Sequence, residues 1–163
     1  MPPRGYAPDT PAHVLQGTDA YDAAVLNWTA PATVSQFTVS GDVQLTACTA
    51  VGGSTDPVTG QVLCDGLKDT TGATVLTAVV VMQRKAAGAV GYCAITTFPN
   101  PDGRRTFISM DVHHQLLFDG GTAAVSTASG CSRSFRIKVY VKHLSGSAVV
   151  VHSRGTITAA IPT

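Results

Sequence analysis

The chain has 163 residues, 44% of them apolar and only 13% charged, with a formal net charge of +1, which is enough for one domain with its own core and too little for two. So balanced a charge leaves no electrostatic footprint for nucleic acid or an anionic membrane surface, and no apolar run approaches the roughly 20 residues of a membrane span. All ten acidic residues are Asp and none is Glu, so helix loses its commonest exposed former, while β-branched Val and Thr fill the apparent strands.

The chain opens with a segment rich in Pro, Asp and Ala, with Pro2, Pro3, Pro8 and Pro11 and no uninterrupted apolar centre of the secretory kind between Met1 and Ala20. Residues 1–31 read as an extended arm ending in a first strand around Ala23–Trp28. Such an arm buries too little by itself to offset its ordering entropy, so it is expected either to be disordered or to lie along another subunit, in the second case with Pro8, Pro11, Val14 and Leu15 as contacts. Asn27-Trp28-Thr29 has the form of a glycosylation acceptor, a coincidence in a bacterial or phage setting. Abundant Ala, Gly, Val and Thr, with Arg outnumbering Lys, point to a GC-rich coding genome.

Residues 32–163 carry a period of two, with strands at the spacing of sandwiches and barrels. The expected strands are Thr33–Val39, Asp42–Ala50, Gln61–Leu63, Ala73–Arg84, Val90–Phe98, Arg105–Phe118, Thr122–Ser126, Ser134–Leu144, Ala148–His152 and Thr156–Ile161. Turn residues divide them, among them Ser40-Gly41, Asp119-Gly120-Gly121 and Ser145-Gly146. Val75–Met82 is apolar on both faces, so it is either central beneath a second layer or packed on another subunit, with Val80 and Met82 as contacts. Arg104 and Arg105 follow the turn at Pro99–Gly103. With Asn100 and Asp102 they form a candidate contact loop for a carboxylate or sugar-bearing partner, or else a solvated hairpin end. Phe135–Lys142 alternates cleanly, with Phe135, Ile137, Val139 and Val141 on one face.

Cys48, Cys64, Cys93 and Cys131 allow three pairings. The favoured one joins Cys48 to Cys64, pinning a Gly-rich loop, and Cys93 to Cys131, joining two strand ends; four buried free thiols are the alternative. Asp111-Val112-His113-His114 is the one dense titratable group, and strand alternation separates its two histidines. His143 and His152 could meet across a hairpin but lack a third ligand, so the histidines read as structural and no metal or cofactor is expected. Nucleophile-elbow, phosphate-loop and zinc-protease motifs are all missing from the sequence, and no catalytic residue is assigned.

The run Ser134–Val141, the Ser-Gly turn, Ala148–Val151 and Gly155–Ile161 resemble the C-terminal strands of jelly-roll domains of the tumour-necrosis-factor and C1q-like group, including phage fibre tips. The resemblance implies trimers that bind through loops or serve as virion or extracellular parts. Leu45–Cys48 with the loop to Cys64 is fainter in its similarity to the two-disulfide subtilisin inhibitors of actinobacteria.

The expectation is an all-β, antiparallel, jelly-roll-like sandwich that is not an enzyme. Its function is expected to be a virion component, such as a capsid decoration, tail or fibre subunit of a phage of a GC-rich bacterium. Its partners are proteins, in a homo-oligomer (a trimer favoured) within a larger assembly, without nucleic acid or membrane insertion. The alternative is a secreted, disulfide-stabilised binding module for carbohydrate or a cell-surface ligand, and after that a protease inhibitor.

Overall fold

The structure is a computed structural model that describes residues 4–6, 13–48, 50–55, 62–65, 72–87, 89–99, 103–108, 114–151 and 156–161. Among them there is no helix. The strands, in chain order, are β1 (Arg4–Tyr6), β2 (His13–Leu15), β3 (Ala20–Thr29), β4 (Gln36–Cys48), β5 (Ala50–Thr55), β6 (Val62–Asp65) and β7 (Ala73–Lys85). They continue with β8 (Tyr92–Phe98), β9 (Arg104–Ile108), β10 (His114–Ala124), β11 (Cys131–Gly146), β12 (Ala148–Val151) and β13 (Thr156–Ala160).

Every pairing is antiparallel. In the first sheet β10 lines one edge of β4, and β13 and β12 share the other, followed by β1 beside β13 and β2 beside β12. In the second sheet β3, β11 and β7 lie side by side, and β8 and β9 share the far edge of β7. Taking strands that share an edge as one position, each sheet is four positions wide. Partners nest by chain order: β1 and β2 with β13 and β12, β3 with β11, β4 with β10, and β7 with β8 and β9. That is one long antiparallel ribbon rolled into a two-sheet jelly roll. The β5–β6 hairpin is inserted between β4 and β7 and lies against β4 and β12.

The core forms where alternating apolar residues of both sheets meet. β11 supplies Phe135, Ile137, Val139 and Val141, as the alternation predicts, and β4 supplies Phe37, Val39, Val43 and Leu45 across the gap. Trp28, Phe37 and Phe135 form an aromatic cluster with centroid separations of 4.6, 4.9 and 6.2 Å, two of the contacts edge-on.

Three sequence expectations are corrected. Gly41 does not break the chain between two strands; it is the inward position between Val39 and Val43 of the continuous β4. A Cβ there would sit 3.0 Å from Val139 Cγ2 and 3.4 Å from Val79 Cγ2, both on the opposite sheet. Gly121 likewise lies within β10, at a bulge, with the Phe98 ring occupying the space of its missing side chain. Arg105–Phe118 is not one strand, since β9 and β10 belong to different sheets.

The arm is corrected too. β3 pairs with β11 from Ala20 to Thr29, β2 pairs with β12, and Leu15 is 0% exposed within the chain's own core. The domain boundary at residue 31 therefore cuts through the sandwich. Leu15 is a core residue rather than a subunit contact, because the first strands are the necessary partners of the last ones.

Candidate interaction surface

One end of the sandwich is tied down by three devices. Gln83, 1% exposed, donates from Nε2 to the carbonyls of Ser126 (3.0 Å) and Ser132 (2.8 Å) and accepts from the Ser126 N–H. Arg133 donates from its guanidinium to the carbonyls of Ala30, Pro31 and Val34. Cys93 and Cys131 form a disulfide with Cα atoms 5.7 Å apart, the pairing favoured from the sequence. Around this end the β7–β8 turn borders a surface depression of about 460 Å³ lined by residues that include Arg84, Val90 and Tyr92.

At the other end His143, 3% exposed, has Nδ1 2.9 Å from the Gly17 carbonyl and Nε2 2.8 Å from the Ser147 carbonyl. It holds two turns together, which is the structural role expected of it. Asp111, His113 and His152 lie outside the described residues, as does the side chain of His114.

The outer face of the second sheet is open to a partner. Arg105 stands beside Leu76, Phe107 beside Thr74, Ile95 beside Met82 and Lys138 beside Val80. Ile95 is 61% and Phe107 59% exposed, unusual for such side chains on a strand. Val80 is half-buried between them, whereas Met82 is only 7% exposed, covered by its own neighbours Arg136 and Ile95 rather than kept for another subunit. The two-sided apolar strand lies in the interior of its sheet, with its inner residues facing the core and its outer Leu76 and Val80 half-buried on a face that no second layer covers among the described residues. Of the expected contact loop, Arg104 and Arg105 are exposed at the start of β9. Asn100, Asp102, Pro8 and Pro11 lie outside the described residues, as do the side chains of Val14, Cys48 and Cys64.

Charge is concentrated on this sheet. Its strands carry eight of the eleven Lys and Arg residues: Arg84 and Lys85 on β7, two on β9, and Arg133, Arg136, Lys138 and Lys142 on β11. Asp22 on β3 is their one acid. Asp22 is shared by Lys138 (3.3 Å) and Arg136 (3.9 Å). Arg84 donates to Asn27 Oδ1 at 3.1 Å and lies 5.9 Å from the Tyr92 ring centroid. Composition concealed this separation, because a sum over the whole chain carries no positions.

No protein-family profile matches the sequence, and no curated protein matches it. Solved structures do match in fold. The VP2 subviral particle of infectious bursal disease virus aligns over 99% of this chain and 32% of that one, at 9% identity and a TM-score of 0.54. The Gt strain of the same virus gives 99%, 33%, 10% and 0.54, and the Gx strain 99%, 32%, 9% and 0.53. The chain spans about a third of the length of the viral proteins it resembles. The likeness is one of architecture alone.

Proposed function

We propose that this domain is a structural subunit of a virus particle, acting through protein–protein contacts and without a catalytic role. The observation that carries the reading is the alignment of 99% of the chain with the VP2 subviral particle at a TM-score of 0.54. One fold serves many functions, so the surface matters as well. Only 13% of residues are charged, and Ile95 and Phe107 stand exposed on an otherwise ordered sheet, which suits a surface meant to be covered. In its finer form the proposal is a capsid decoration, tail or fibre subunit of a phage of a GC-rich bacterium, with trimers as the building unit. Light scattering on the full chain at micromolar concentration tests it: trimers or larger closed species are expected, and a monomer at every concentration reached would overturn it.

The Cys93–Cys131 disulfide favours a second reading, a secreted binding module, because such bonds persist in oxidising compartments. Thiol titration of denatured protein taken directly from the producing cell separates the two. Free thiols support maturation in a reducing cytoplasm, and none supports secretion.

A further inference from the structure

The charge of +1 conceals an uneven division between the strands of the second sheet and the rest of the sequence. The strands of the second sheet are seven positive, and the remaining three basic and nine acidic residues leave the rest of the chain six negative. The positive sheet also presents apolar side chains on its outer face. Exposed Ile95 and Phe107 flank half-buried Leu76 and Val80, with Arg105 and Lys138 beside them. An apolar centre within a charged rim is the anatomy of a protein–protein contact, whereas a phosphate backbone would leave the apolar centre without a partner.

We propose that the outer face of the second sheet is the docking surface for a second copy of this chain, which presents to it part of its acid-rich remainder. The inference rests on the assembly reading and adds to it which face is used and in what sense. Two copies paired through this face alone would set Arg84, Arg105, Arg136, Lys138 and Lys142, with only Asp22 among them, against the same like-charged set, which disfavours a face-to-face pair. The contact is therefore heterologous, one copy's basic sheet against a different surface of the next, and contacts of that kind close into rings or continue as filaments. Asp22 already balances part of the Lys138 and Arg136 charge, so the unbalanced charge near the apolar centre is chiefly that of Arg105 and Lys142.

Sedimentation velocity of the full chain across a range of NaCl tests the proposal, with Ile95→Asp and Arg105→Glu as variants and far-ultraviolet circular dichroism to confirm that each folds. Both positions are exposed, so folding is expected to survive. Association of the wild type should weaken by at least about ten-fold as salt screens the charges, and each variant should weaken it by a similar factor at low salt. Wild-type association that is indifferent to salt, or folded variants that associate as the wild type does, would overturn the assignment of the face while leaving assembly standing. A wild type that never associates would remove the assembly reading and this inference with it. Binding of a poly-dT oligonucleotide that Arg105→Glu abolishes, with self-association unchanged, would overturn it in favour of a nucleic acid.

Discussion

A single amide shows how much of the tied-down end depends on one residue. Gln83 is a polar residue in phase with the inward Val75, Val79 and Val81 of β7. It satisfies two carbonyls and one N–H of the segment around Ser126–Ser132. Gln83→Leu fills similar space but leaves three backbone groups without that partner, and each unsatisfied buried group costs about 1–3 kcal/mol. A loss of about 3 kcal/mol is expected, read as a lower urea midpoint with an unchanged slope. A loss below about 1 kcal/mol would mean that these groups find other partners. Gly41 teaches the complementary lesson. Its inward direction follows from the two-residue rhythm of Phe37, Val39, Val43 and Leu45, yet a Ser-Gly pair signals a turn until the opposing Val139 is known.

At the scale of elements, alternation located β11 and β13 closely, because each has a core face that only one register satisfies, while β7 and β12 stood out as continuous β-branched apolar runs bounded by turn residues. It could not reveal which strands pair, since the ladders join residues far apart in sequence, Thr29 with Ser134 and Arg4 with Thr158. The disulfide acts at this same scale. It joins the starts of β8 and β11, between which β7 lies, and closes a loop across a sequence separation of 38. Restricting the unfolded chain by a loop of that length is worth about 4 kcal/mol in the chain-entropy model. The double variant Cys93→Ser/Cys131→Ser, which leaves Cys48 and Cys64 in place, should lose stability of that order in urea unfolding. An unchanged midpoint would show that the backbone bonds around Gln83 and Arg133 hold this end without it.

For the whole molecule, the rolled ribbon makes the first strands as indispensable as the last. The opening segment looked like an appendage because Pro-rich text and three-residue strands carry little periodic signal, and β1 and β2 acquire their meaning only from β13 and β12 beside them. Charge was misleading for the same reason: the one-dimensional sum is near zero while the fold gathers eight of the eleven basic residues on the strands of one sheet. Removing residues 1–31 takes an edge from each sheet at once, β3 from one and β1 with β2 from the other, and with them the core side chains Leu15, Ala23, Ala24 and Leu26. An appended arm would come away with the fold intact and only association weakened. A rolled ribbon loses the partners of β11, β12 and β13, and their unpaired inner edges invite aggregation. The truncated chain should therefore give no cooperative urea transition by far-ultraviolet circular dichroism and should be recovered largely insoluble, whereas a soluble truncated form with a sharp transition would restore the arm and undo the strand pairing on which the fold is built.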